Sequence, residues 1–180
     1  MPLPKVILIH GNGGSTAGDI WLPWLERELA RAGLDVINET FPDNVKARAK
    51  YWLPFLDELG ADENTILIGH SSGAVAAMRY AETHRLAGSV LVGVCHTDLG
   101  DRGEAASGYY RAPWQWQRIR ENQPWIGIFN SVDDPCIPVA EARFVAAQLR
   151  CQYFEFTDRG HFMATELPEV LQFVRRQLEL

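Results

Sequence analysis

The chain of 180 residues is 47% hydrophobic and carries a formal net charge of −6. That length allows a core that removes about two thirds of the unfolded surface from water, so residues 1–180 read as a single domain able to fold alone. The negative charge, with no run of lysine or arginine to offset it, argues against nucleic acid or an anionic membrane as partner.

The first apolar run, residues 6–9, is cut short by His10 and Gly11. It is too brief for an export signal or a membrane span. Cys95, Cys136 and Cys151 are an odd set without metal-type or redox-type spacing. Reduced thiols in a cytoplasmic protein are therefore expected, with no metal and no cofactor.

In chain order, short β-branched runs alternate with helix-period stretches. A strand over 5–10 precedes a helix over 20–32, closed by Gly33, and a strand over 34–38 precedes a helix over 45–59, closed by Gly60. Strands over 65–69 and 89–95 flank a helix over 72–83. An irregular stretch, 96–113, leads to a helix over 114–122, a strand over 125–131, a helix over 139–149, a strand over 152–157 and a helix over 166–178. Strands apolar in succession suit a parallel sheet covered on both faces. Strict alternation predicts an α/β fold of six parallel strands in the order 2-1-3-4-5-6, helices on both faces and no cap domain.

Gly69-His70-Ser71-Ser72-Gly73 lies between an apolar strand and an alanine-rich helix. This is G-x-S-x-G in strand-turn-helix context, where flanking glycines allow a sharp turn and the serine hydroxyl projects above the sheet as a nucleophile. Ser71 fills that position. The N–H of Ser72, at the helix start, faces the same space and suits a developing oxyanion. The loop His10-Gly11-Asn12-Gly13-Gly14 offers the second donor, assigned to Asn12 N–H with Gly13 N–H as neighbour.

An orienting acid is expected after a later strand, and Asp133-Asp134-Pro135-Cys136-Ile137-Pro138 follows the fifth. Asp134 is preferred because Asp-x-x-Ile-Pro, with proline opening a helix, suits that turn; Asp133 shapes the turn with its side chain. His161, between the last strand and the last helix, completes the order Ser…Asp…His and suits a general base. Gly11, Gly13, His70, Tyr109 and Trp114 are the candidate substrate contacts. The segment 107–116 is expected to wall the pocket, although each of its tryptophans could instead anchor the following helix.

These residues, together with Trp52-Leu53-Pro54-Phe55, the run Met78-Arg79-Tyr80-Ala81-Glu82-Thr83-His84-Arg85, Ser107-Gly108-Tyr109, Pro113-Trp114-Gln115-Trp116 and Gly160-His161-Phe162, closely resemble the retinoblastoma-binding protein 9 family of small serine hydrolases. The resemblance spans nearly the whole chain. It implies a capless α/β-hydrolase fold, hydrolysis of small esters or amides, and a triad on Ser71, Asp134 and His161. That family's name reflects a Leu-x-Cys-x-Glu segment that binds retinoblastoma-type pocket proteins. Here the matching stretch runs Leu59 to Glu63 with Ala61 in place of cysteine, which argues against that partner.

Two rival readings remain. Gly11-x-Gly13 and Glu39 form part of a dinucleotide-binding signature, but Thr16 occupies the third glycine position and the Ser-Asp-His order would be unexplained. A non-catalytic interaction module on a hydrolase fold would use the dense tryptophans and tyrosines as a binding surface.

Overall fold

The computed structural model describes residues 2–180. Its elements are β1 (Lys5–Ile9), α1 (Leu22–Arg31), β2 (Asp35–Asn38), α2 (Ala49–Glu58), β3 (Thr65–His70), α3 (Ser72–Ala81), β4 (Gly88–Val92), α4 (Arg102–Ala106), α5 (Trp116–Glu121), β5 (Ile126–Ser131), α6 (Val139–Leu149), β6 (Gln152–Phe156) and α7 (Pro168–Gln177). All strand pairs are parallel, and the sheet order is β2-β1-β3-β4-β5-β6.

The two-residue repeat of the strands divides the core into two layers. Val6 and Leu8 of β1, with Ile66 and Ile68 of β3, pack toward Leu22, Leu25 and Leu29 of α1 and Val170, Phe173 and Val174 of α7. Ile7, Ile9 and Leu67 face the opposite way, toward Trp52 and Leu56 of α2, the small residues of α3, and Val145 and Leu149 of α6. β3 and β5 are buried along their whole length, which explains their unbroken apolar character. This is a doubly wound α/β-hydrolase architecture, and no cap domain is present among the described residues.

Most element ends lie within a residue or two of the expected ones, and four departures bear on the site. The second helix begins at residue 49 rather than 45, because Asp43 and Ala47 adopt positive φ. Both carboxylate oxygens of Asp43 receive the Arg48 guanidinium, at 2.8 and 2.9 Å, which closes a turn ahead of the helix. The helix expected from 114 begins at 116. The fourth strand ends at Val92, because Gly93 turns the chain at φ +64°. Within the stretch read as irregular, α4 forms a single short helix whose N-terminus is capped by Asp101 Oδ1 accepting from Glu104 N–H. Among the described residues, no helix is long and apolar enough to cross a membrane.

Candidate active site

The carboxyl ends of β1, β3, β5 and β6 open onto one cavity of about 440 Å³. Ser71 stands in the turn between β3 and α3 at φ 55° and ψ −116°, a strained conformation for a residue with a side chain. Its N–H donates to Val92 O at 2.8 Å, and its own carbonyl accepts from Ala74 and Val75, so the strain is held on both sides. The flanking glycines are steric necessities: a Cβ on Gly69 would lie 2.3 Å from the Gly73 backbone, and one on Gly73 would lie 2.3 Å from Ile9 O. Close approach of α3 to β1 thus brings the turn over the first loop.

Asp134 sits in the turn after β5 with a fully buried carboxylate. Oδ1 accepts from Cys136 N–H at 2.7 Å and Ile137 N–H at 2.9 Å, which leaves Oδ2 directed at His161 Nδ1, 2.8 Å away. Asp133 points elsewhere. Its Oδ1 accepts from the Ser131 hydroxyl and from Gly160 N–H at 2.9 Å, fastening the turn after β5 to the loop that carries His161. These two bonds hold the Asp133 carboxyl below its ordinary range. The adjacent aspartates therefore divide the work, one facing the imidazole and one bracing its loop.

The His161 backbone is fixed from the opposite side. His70 Nε2–H donates to His161 O at 2.7 Å, and Trp21 Nε1–H donates to Phe162 O at 3.1 Å. Phe162 is buried with φ 55°, so this corner is tightly specified. Burial, reinforced by the neighbouring His161 ring at 4.8 Å, pulls the His70 pKa down to about 4, and the ring is neutral.

In the first loop, Asn12 lines the cavity and its N–H has no hydrogen-bond partner among the described residues. Ser72 is the first residue of α3, so its N–H lacks an intrahelical acceptor. His10 steadies this loop from beneath. Phe41 N–H donates to Nε2 at 2.8 Å, and Nδ1–H donates to Gly11 O at 2.7 Å. Desolvation lowers its pKa, consistent with the neutral tautomer that both bonds require.

The structure brings Gly11, Asn12, His70, Ser71, Ser72 and His161 to the cavity wall, with Asp134 bonded behind the imidazole. It does not bring the remaining candidates. Gly13 N–H is committed to Val45 O at 3.0 Å, so it is not a free donor. Tyr109 is 2% exposed and belongs to the core beneath. Trp114 stacks on Trp116 under the Arg79 guanidinium, 3.6 Å from the ring centroid, while its Nε1–H donates to His96 O. Of the segment 107–116, Tyr110 alone reaches the wall, its hydroxyl 3.2 Å from Cys95 Sγ; burial pushes the Cys95 thiol up to about 12.

Several residues at the site escaped the sequence reading. Asp101, which caps α4, and Glu104, on it, reach the cavity wall, Glu104 accepting from the Asn12 amide at 2.6 Å, and burial raises the Glu104 carboxyl pKa. Cys136 and Met163 also line the cavity. Gly93 is the most telling omission: a Cβ there would lie 3.2 Å from His161 Cε1 and 3.4 Å from Nδ1. Its signal was a lone glycine interrupting an apolar strand run, a pattern that marks close approach.

Comparison with known proteins agrees with this fold. A family model described as serine hydrolase matches residues 6–176. The chain is 46% identical to serine hydrolase RBBP9 of Rattus norvegicus over 97% of its own length and 95% of the relative's. The crystal structure of the ydeN gene product from B. subtilis superposes with a TM-score of 0.90 at 25% identity, covering 98% of this chain and all of that one. Est1E from Butyrivibrio proteoclasticus shares the fold, with a TM-score of 0.76 at 14% identity over 99% and 89% of the two chains. With a near-complete family match and a close full-length relative, the chain belongs to the serine hydrolase family, among the small RBBP9-like members.

Proposed function

We propose that the protein hydrolyses ester or amide bonds of small substrates through a Ser71–His161–Asp134 triad and an acyl-enzyme intermediate. The observation that carries this reading is the 2.8 Å Asp134–His161 pair converging, across one cavity, with a serine held in a strained turn. Asp134 Oδ2 fixes the imidazole tautomer with the proton on Nδ1, leaving Nε2 to take the Ser71 proton as the hydroxyl attacks the substrate carbonyl. The tetrahedral oxyanion is received by Asn12 N–H and Ser72 N–H. His161 then returns its proton to the leaving group, and a water activated by the same base releases the acid.

The wall of Cys95, Tyr110 and Ile137 is apolar, while Leu99 and Met163 form an exposed rim. An open cavity of this size suits a short or flexible acyl group. Three free thiols, two of them shielded, support a reducing compartment such as the cytoplasm. The test is labelling by a fluorophosphonate together with turnover of a chromogenic ester. The parent is expected to label and turn over, and Ser71→Ala to do neither while unfolding at a similar temperature. Labelling that persists in Ser71→Ala would overturn the assignment.

A further inference from the structure

The turn after β5 carries a side chain that the hydrolytic reading does not use. Cys136 is exposed at the cavity wall, and one ligand atom each from Asp134, Cys136 and His161 lies within 4.8 Å of the other two. We propose that these three residues form a binding site for a borderline-soft divalent cation of the zinc class, and that its occupancy switches the hydrolase off.

The donor set is one carboxylate oxygen, one thiolate and one imidazole nitrogen, all three of them zinc ligands. Three protein ligands with a fourth position open to water describe a cleft-side zinc site. Tetrahedral coordination at ordinary Zn–N, Zn–O and Zn–S lengths separates ligand atoms by about 3.5 Å. The longest edge of the triangle therefore has to close by about 1.3 Å at most, and the exposed Cys136 side chain, free to change rotamer, is the member that would move.

Asp134 is already oriented for the task. Two backbone N–H groups hold Oδ1, so Oδ2, which accepts from His161 Nδ1–H, is the oxygen the cation would take, with the outer support that metal carboxylates ordinarily have. Among the described residues, no other three His, Cys, Asp or Glu side chains bring their ligand atoms together in this way.

Binding would release the Cys136 thiol proton to solvent and place the cation on Asp134 Oδ2 and on one imidazole nitrogen of His161, the single ring proton residing on the other nitrogen and the cation replacing the Asp134–His161 hydrogen bond. Either use withdraws His161 from proton transfer, so the inhibited state follows from the same two residues that the reaction requires. Because inhibition rests on the proposed triad while binding does not, the two can be separated experimentally.

The experiment uses chelator-treated full-length protein, with Zn²⁺ titrated against ester turnover and Co²⁺ titrated by absorption. Expected are chelator-reversible inhibition by Zn²⁺ and a thiolate-to-Co²⁺ charge-transfer band, retained in Cys151→Ser and in Ser71→Ala. In Cys136→Ser the band is lost and the Zn²⁺ concentration for half-inhibition, judged against that variant's own metal-free rate, rises at least about tenfold. Absence of the band in the parent, or equal half-inhibition in Cys136→Ser, would overturn the proposal. A parent that forms the band but turns over no ester would leave the site standing and count against the triad instead.

Discussion

His70 donates through Nε2 to the carbonyl oxygen of His161, so a neutral histidine next to Ser71 holds the backbone of the histidine that bonds Asp134. The bond joins the end of β3 to the loop after β6, across the mouth of the sheet.

Its pH dependence follows from the lowered pKa. His70 stays neutral in the fold to about pH 4, whereas in the unfolded chain it protonates near 6.5. The unfolded state therefore binds more protons between these values, and stability is full above about pH 6.5 and falls as pH drops toward 4. The shift corresponds to about 3 kcal/mol. Urea unfolding of His70→Gln at stepped pH should show a shallower loss over that window than the parent; His10, lowered in the same sense, supplies a remaining slope in both.

Gly93→Ala tests the space behind the imidazole. Residue 93 has φ +64°, and the new methyl would press on His161 Cε1 and Nδ1. A stability loss of about 1 kcal/mol is expected from the backbone alone. The fall in kcat should be larger than that loss explains, about tenfold or more, because displacing the imidazole by a fraction of an ångström misaligns proton transfer. Parental kcat with lowered stability would show that the ring simply moves aside.

The two aspartates should separate cleanly. Asp134→Asn leaves its oxygen with Cys136 and Ile137 N–H and turns an NH2 toward His161 Nδ1, which favours the wrong tautomer, and kcat should fall by about 10³ to 10⁴ with little change in Tm. Asp133→Asn keeps an oxygen for Ser131 and Gly160 and should be mild, whereas Asp133→Ala frees the His161 loop and should lower Tm more than Asp134→Asn does. Ester turnover and thermal melts of the three variants check the order.

Trp114→Ala should act on stability and not on selectivity. The ring lies between Trp116 and Arg79, outside the cavity wall, and its loss should cost about 2 kcal/mol for a half-buried indole. The ratio of kcat/KM on short and longer acyl esters should match the parent. Tyr110→Phe, by contrast, alters the wall itself and should change that ratio.

Much of this architecture was legible in one dimension because it depends on local periodicity and turn chemistry. Alternating apolar runs and helix-period stretches, with short connections, constrain the sheet order through the right-handed crossover. Ser71, Asp134 and His161 were each readable because each follows a strand in a turn with its own signature. What the sequence could not reveal was which side chains of the irregular stretch face the cavity. The choice between Tyr109 and Tyr110 turns on one residue of chain rotation, set by α4 and by the Arg79 bonds to Tyr109 O and Ala112 O. Gly13 likewise looked free until Val45, brought near by the turn at Asp43, took its N–H. The sequence by itself determined the fold and the chain order of Ser71, Asp134 and His161; tertiary packing alone decided the cavity wall, the clamp of His70 on His161 and the approach of Cys136, because those contacts join segments whose local patterns carry no information about one another.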